Sequence, residues 1–185
     1  EELLKSADIA LVVGSRLRSN ETKTYSVQFP EKLIQIDANP VAQQRNYRVE
    51  HFICSEAKAS LAYLATALEQ HSFIDPDYDR EIREAKEAAI NALTEQLGPY
   101  AEICFALRDA LPESGILVRD ITMSGSTWGS RLFPVQAPLR NIHSLAGAIG
   151  LGLAHGIGSA IANRDKKIVS LVGDGGLMLG IGEIA

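Results

Sequence analysis

Cysteine is scarce in this chain: Cys54 and Cys104 are the only two in 185 residues, and they form no Cys-x-x-Cys pair. That excludes a disulfide framework and a zinc ribbon, leaving two reduced thiols in apolar or helical settings. Runs of basic residues are missing as well, and the net charge is −5, so neither nucleic acid nor an anionic membrane surface is an expected partner. The acidic start, Glu1-Glu2, has nothing of a secretory signal, and cytoplasm is the expected compartment. There is no internal repeat and no low-complexity tract. With 46% hydrophobic and 22% charged residues, the chain is of globular type and long enough for one or two modest cores.

A further absence is local. Residues 141–163 contain no Asp, Glu, Lys or Arg, and Gly152-x-x-x-Gly156 imitates a transmembrane pairing motif. Five glycines, two histidines and two flanking asparagines argue against a helix in lipid. The segment reads as a loop followed by a buried helix whose glycines let it pack against a sheet or a cofactor.

What is present is most informative near the C-terminus. The β-branched run Ile168-Val169-Ser170-Leu171-Val172 leads straight into Gly173-Asp174-Gly175-Gly176. A buried parallel strand would deliver a carboxylate and unhindered backbone N–H groups to the carboxyl edge of a sheet, where open α/β folds hold ligands. Glycine lets a backbone approach an anion, and an Asp carboxylate is a hard oxygen ligand for Mg²⁺. A metal-bound diphosphate suits such a junction, although Asp-Gly by itself is equally a hairpin turn.

The remaining pattern is strand and helix in alternation, which predicts an α/β fold with parallel sheets flanked by helices. Strands are expected at Ile9–Val13, Leu33–Ile36 and Ile116–Val118, the first two parallel neighbours because more than a hairpin turn separates them. Ser55 is the expected cap of a helix carrying Leu61, Leu64, Ala65 and Leu68 on one face. Asp75-Pro76 should open a second helix with a stripe of Ile82, Ala85, Ala89, Leu93 and Leu97, ended by Gly98-Pro99. A third helix follows over Tyr100–Leu111. Asp120-Ile121-Thr122-Met123-Ser124-Gly125-Ser126-Thr127 then offers one carboxylate and four hydroxyls in what reads as a loop, suited either to a ligand or to ordinary capping.

The run Gly147-Ala148-Ile149-Gly150-Leu151-Gly152-Leu153, followed by Ala160-Ile161-Ala162, Lys167-Ile168-Val169, Gly173-Asp174-Gly175 and Glu183-Ile184-Ala185, resembles the cofactor-binding domain of thiamine-diphosphate-dependent enzymes of the acetolactate synthase, benzoylformate decarboxylase and pyruvate decarboxylase type. Ser6-Ala7-Asp8-Ile9-Ala10-Leu11-Val12-Val13-Gly14-Ser15-Arg16-Leu17 and Lys32-Leu33-Ile34-Gln35-Ile36-Asp37-Ala38-Asn39-Pro40 resemble the later half of the same family's middle domain. The resemblance implies parts of two Rossmann-like domains: 1–73 from the middle domain, 74–98 a linker helix, and 99–185 the start of the thiamine-diphosphate domain. It makes the chain an internal piece of a longer enzyme, expected to be inactive in isolation. The Gly-Gln-His-Gln run usual in acetolactate synthases is missing, which keeps decarboxylases in play beside carboligases.

The resemblance also implies site residues. Asp174 is the Mg²⁺ ligand, with Gly175 and Gly176 N–H groups beside the diphosphate. Thr122, Ser124 and Ser126 lie where diphosphate or substrate contacts are made. Ile149 is the apolar wedge that bends thiamine diphosphate into a V, setting the 4′-nitrogen against the thiazolium C2–H, while Gly147 C=O and Ile149 N–H hold the pyrimidine edge. His143 precedes this loop and is a candidate either for catalysis or for structure; His155 reads as a packing residue. The implied partners are a 2-oxo acid substrate and further copies in a homodimer or homotetramer. FAD binds the middle domain only in some members and is not indicated here. Asp37, 23 residues after Gly14, has the position of a ribose-binding acid, but no Gly-x-Gly-x-x-Gly follows the first strand, so strand-end solvation is its expected role. A different class remains as the alternative: a noncatalytic nucleotide-binding or regulatory module with the middle-domain fold.

Overall fold

The computed structural model describes residues 2–71, 75–145 and 147–184. The chain forms two compact units, Glu1–Lys86 and Glu87–Ala185. The first contains α1 (Glu2–Lys5), β1 (Ala10–Val13), β2 (Leu33–Asp37), a 3₁₀ turn at Pro40–Ala42, β3 (His51–Cys54) and α2 (Ala57–Leu68). The strands form one parallel sheet in the order β1-β2-β3, with Ala10 opposite Leu33 and Asp37 opposite Cys54. The expected pairing of β1 with β2 is present. β3 was not expected: its four residues carry too little apolar periodicity to be recognised, and it exists because the edge of β2 supplies its hydrogen-bonding partner.

Ala10, Leu17, Leu33 and Val49 form the core of this unit, against which Val12, Phe29, Tyr47 and Phe52 pack. The cap of α2 corrects the expectation. Glu56, not Ser55, is the N-cap, because its longer side chain accepts the Ala59 N–H at 2.8 Å. Leu61 and Leu68 on the expected stripe are 43% and 50% exposed, so the apolar face of α2 is largely open within this unit.

The boundary between the units falls inside α3 (Tyr78–Leu97). The edge anticipated at 73/74 lies among residues outside the description. Asp75 accepts the Asp77 N–H at 2.9 Å in a turn, and the helix itself begins at Tyr78, later than Asp75-Pro76 suggested. Of the anticipated stripe, Leu93 and Leu97 pack against the second core, whereas Ile82 is 39% exposed.

The second unit contains α4 (Pro99–Ala110), β4 (Ile116–Arg119), α5 (Met123–Ser126), α6 (Trp128–Arg131), β5 (Asn141–His143), α7 (Leu151–Ala162), β6 (Ile168–Leu171), α8 (Asp174–Leu179) and a 3₁₀ turn at Ile181–Ile184. Its parallel sheet runs β5-β4-β6, which makes β4 the middle strand. Accordingly Ile116, Leu117 and Val118 are buried, and Leu117 joins Ala101, Cys104, Leu111, Trp128, Leu132 and Phe133 in one core. Burial pushes the Cys104 thiol up to about 11, an inert core sulfur.

Two expectations fail in this unit. The hydroxyl-rich segment after β4 is not an open loop but two single-turn helices, α5 and α6. Residues 141–163 hold a short strand, β5, before the helix, and α7 is not buried all round: Gly152 and Gly156 are its buried residues, while Ile161 is 63% exposed. The face that packs is the glycine face, as expected of this segment, because there the helix backbone comes close to the sheet: a Cβ at Gly156 would collide with Ser170 Oγ of β6. Among the described residues no helix is long and apolar enough to cross a membrane. The architecture is α/β, with parallel sheets flanked by helices.

Candidate functional site

Three chain turns meet at the carboxyl edge of the β5-β4-β6 sheet. The first follows β4 and carries Asp120, Ile121 and Thr122. The second precedes α7 and carries Gly147, Ile149 and Gly150. The third follows β6 and carries Gly173, Asp174, Gly175 and Gly176. At their meeting point lies Asp120, a side chain only 1% exposed. Its Oδ1 accepts the Ile121 N–H at 2.8 Å, and its Oδ2 accepts the Gly150 N–H at 2.9 Å. A Cβ at Gly152 would stand 2.6 Å from the Cβ of Asp120, and one at Gly176 would collide with Asp120 Oδ2. A Cβ at Gly173 would lie 3.1 Å from Thr122 Cγ2. Gly152, Gly173 and Gly176 are therefore what lets the backbones close around one acid and one threonine.

The sites named from sequence can now be located. Asp174 is exposed at the first residue of α8; one carboxylate oxygen accepts the Gly175 N–H at 2.8 Å and the other makes no hydrogen bond among the described residues. Gly175 has open space where a side chain would project, as has Gly147, whose φ of +72° only glycine adopts without strain. Gly176 faces inward onto Asp120. Ile149 is 56% exposed, so packing among the described residues does not account for this large apolar side chain. Gly150, at φ +89°, opens α7 beside it. Ala185, which ends the last of the family-like runs, lies outside the described residues.

The hydroxyls divide. Thr122 Oγ1 caps α5 by accepting the Gly125 N–H at 2.8 Å, a structural task, while its methyl faces Gly173. The hydroxyls of Ser124 and Ser126 make no hydrogen bond among the described residues. One further hydroxyl, missed in the sequence, is that of Ser144 just past β5: the residue is 4% exposed and its Oγ has no partner among the described residues.

His143 ends β5 opposite Arg119 in register. The residue is exposed, but partial loss of water around the ring, and then the Arg119 charge, hold its imidazole below the ordinary value, which favours the neutral form. Arg119 is itself anchored: Nε donates to Asn141 Oδ1 at 2.6 Å and Nη1 to Gly125 O at 2.7 Å, while Asn141 Nδ2 donates to Gly129 O at 3.0 Å. This network, also absent from the sequence reading, ties α5 and α6 to the edge of the sheet. His155 sits on α7 with an unpartnered, buried Nδ1 among the described residues, in keeping with packing. In the first unit Asp37 accepts the Asn39 N–H at 2.8 Å, a strand-end turn. A cavity of about 290 Å³ at the end of β1 is lined by Arg16, Arg18, Tyr25 and Arg45 among others, without Asp37.

The Asp120 carboxylate was expected to be open to a ligand or to capping and is instead buried against Gly150, and Asn141 was not singled out, because what matters is separation in space, not in sequence. The signal available was an acid closing an apolar strand together with glycines at 150, 152 and 176, but nothing in one sequence joins positions 30 and 56 residues apart. Among the described residues there is no cluster of three or more acidic, histidine or cysteine side chains able to hold a metal by themselves.

The family model described as thiamine pyrophosphate enzyme, central domain, matches residues 1–64, and that described as thiamine pyrophosphate enzyme, C-terminal TPP binding domain, matches residues 120–185. The second match begins at Asp120 and includes all three turns. Similar curated proteins include acetolactate synthase 2, chloroplastic, of Zea mays, 25% identical over 97% of this chain and 29% of its own length. Acetolactate synthase isozyme 1 large subunit of Escherichia coli is 26% identical over 99% of this chain and 33% of its own length. A probable 2-ketoarginine decarboxylase of Pseudomonas aeruginosa is 26% identical over 100% of this chain and 33% of its own length. The chain thus spans about a third of the length of the curated relatives it matches. With both family models matched in order, and with glycine turns converging at the sheet edge inside the second, the chain belongs to the thiamine-diphosphate-dependent enzyme superfamily.

Proposed function

We propose that the protein holds thiamine diphosphate through Mg²⁺ and acts on a 2-oxo acid, by decarboxylation or by carboligation of the acetolactate synthase type. The observation that carries this reading is the exposed Asp174 carboxylate beside the open Gly175, at the carboxyl edge of a parallel sheet and within the matched cofactor-binding segment. The residues present fit the group. Mg²⁺ is ordinarily bound through one or two carboxylates with phosphate oxygens and waters completing its shell, so a single Asp from this chain is a sufficient start. Gly147 and Gly175 leave room where a Cβ would project, and Ser144 has an orphaned hydroxyl beside the same edge.

Bound thiamine diphosphate supplies a nucleophilic carbon that adds to the 2-oxo carbonyl and an electron sink for the departure of CO₂. The chain's own residues bind and orient. Asp174 would meet the metal; Gly175 N–H, and Ser124 and Ser126 with their free hydroxyls, are donors for the diphosphate or substrate; Gly147 C=O and Ile149 N–H would hold the pyrimidine, with the Ile149 side chain between the two rings. His143, neutral and at the same edge, can accept a proton. Asp37 is occupied by Asn39 N–H and lends no support to a bound FAD. The reading takes the protein as a cytoplasmic homodimer or homotetramer. Leu145 and Leu179, 90% and 68% exposed beside the site, support further protein packed there.

Because the 185-residue piece alone is expected to be inactive, the reading is tested on the full-length protein, by calorimetric titration of thiamine diphosphate with and without Mg²⁺. Saturable, Mg²⁺-dependent binding is expected, and its absence at saturating Mg²⁺ overturns the reading. Supplying pyruvate alone and then with a second 2-oxo acid separates the two reactions by product, an aldehyde or a 2-hydroxy-2-alkyl-3-oxo acid. Binding of nucleotide without thiamine diphosphate would favour the noncatalytic module instead.

A further inference from the structure

We propose that Asp120 is the positioning residue of the cofactor site: its carboxylate, by holding the Gly150 N–H, fixes the turn that bears Ile149 relative to the turn that bears Asp174. The inference rests on the thiamine-diphosphate reading above. Asp120 does not itself reach a ligand. It is enclosed by its own backbone, by Gly150 and Gly152 on one side and by Gly176 on the other.

A carboxylate taken out of water is costly unless its lone pairs are met. Among the described residues no cation meets them, for the neighbouring Arg119 is directed to Asn141 and Gly125 O. Two backbone N–H groups do so instead, from Ile121 on the strand's own turn and from Gly150 across 30 residues. Such charge-assisted bonds are stronger than neutral ones, and the Gly150 bond is the one that fastens the second turn. Gly150 has a left-handed backbone and follows Gly147, also left-handed, so the loop between them has little helical or sheet bonding of its own to define it. The third turn is set by contact: Gly176 packs against Oδ2, and a Cβ on Gly150 would stand 3.0 Å from Leu179 Cβ. One side chain thereby sets the distance between the apolar wedge and the metal-binding acid, a distance that a cofactor with a ring end and a diphosphate end must match.

The chemistry makes the carboxylate, and not merely its shape, necessary. In Asp120→Asn the amide oxygen can take only one of the two positions. If it accepts from Gly150, the new NH₂ faces Ile121 N–H; if it accepts from Ile121, the NH₂ faces Gly150 N–H at the place Oδ2 now occupies. Either orientation sets a donor against a donor.

The test compares two ligands, thiamine diphosphate and inorganic pyrophosphate, each titrated with Mg²⁺ into the wild-type protein and Asp120→Asn. Pyrophosphate needs the diphosphate turn alone, whereas thiamine diphosphate needs both turns in register. The expected result is thiamine diphosphate binding weakened about tenfold or more and pyrophosphate binding weakened less than about twofold. Fast amide exchange at Gly150, slow in the wild type, accompanies it. A purely structural role would weaken both ligands equally, by the same loss of folded protein. Should Asp120→Asn fail to fold, the wild-type protein still decides: the Gly150 amide is expected to exchange slowly because Asp120 holds it, and fast exchange there overturns the positioning role. Equal effects on both ligands, or none on either, overturn the positioning role while leaving the cofactor reading intact. Wild-type protein that binds pyrophosphate but not thiamine diphosphate overturns the cofactor reading, and the inference with it.

Discussion

Arg119 Nε and Asn141 Oδ1 lie 2.6 Å apart, joining the last residue of β4 to the first residue of its parallel neighbour β5 by their side chains. The same Asn141 amide passes the contact to Gly129 O, and Arg119 reaches Gly125 O, so one pair of side chains fastens the helices that follow β4. Burial lowers the pKa of Arg119 from its ordinary value, but a guanidinium stays protonated at any working pH, and its donors must be met.

Replacing Asn141 with Leu removes the acceptor and leaves Arg119 Nε without its partner. Such a change is expected to destabilise the fold by about 1–3 kcal/mol, read as a lower urea midpoint at unchanged slope. An unaltered midpoint would mean that water replaces the amide without cost.

Asp174→Asn keeps size and removes the charge proposed above to meet Mg²⁺. Because Asp174 is exposed and only one of its oxygens is engaged, by Gly175 N–H, the melting temperature should hardly change. Mg²⁺-dependent retention of thiamine diphosphate should fall by about tenfold or more. Unchanged affinity in both titrations would remove Asp174 from the metal site.

Ile149→Ala separates geometry from stability. At 56% exposure the side chain contributes little packing, and the expected loss of stability is about 0.5 kcal/mol or less. The wedge role requires slower C2–H exchange of bound thiamine diphosphate, followed by deuterium uptake in NMR at cofactor saturation. Leu or Met at 149 should largely restore the rate, since either refills the space. Wild-type exchange in the saturated Ala variant would show that nothing is wedged.

His143 should titrate below 6.5, burial being the larger cause and the Arg119 charge the smaller. A lowered folded-state pKa means that the unfolded chain binds the proton first as pH falls. Stability from this group is therefore complete above the ordinary imidazole range and is lost as pH drops through 6.5 toward the lowered folded value. His143→Gln should flatten that part of the stability curve, measured by melts at successive pH values. An imidazole resonance that titrates at or above 6.5 would contradict the assigned environment.

Much of the fold was legible in the residues. β1, β2, β4 and β6 are apolar β-branched runs of strand length, and α3 and α4 carry proline or acidic starts that mark their ends within a few residues. β3 and β5 were not legible, since His51–Cys54 and Asn141–His143 have too few apolar residues for any period. They are strands because β2 and β4 offer an unpaired edge. The candidate site was half legible. Gly173-Asp174-Gly175-Gly176 and Gly147-Ala148-Ile149-Gly150 are local signals, because a turn's chemistry is written in adjacent residues.

By itself, then, the sequence determined the α/β class, the two glycine turns and the acid that opens α8, all consequences of neighbouring residues and short-range backbone preference. The tertiary structure decided which of those groups meet. It buried Asp120 under Gly150, Gly152 and Gly176, gave Thr122 to a helix cap, left Ile149 exposed, and made the glycines of α7 its packing face. The physical reason is that a hydrogen bond or a close backbone contact across 30 residues depends on how strands are ordered in a sheet. The order β5-β4-β6 is a property of the folded chain and not of any segment within it.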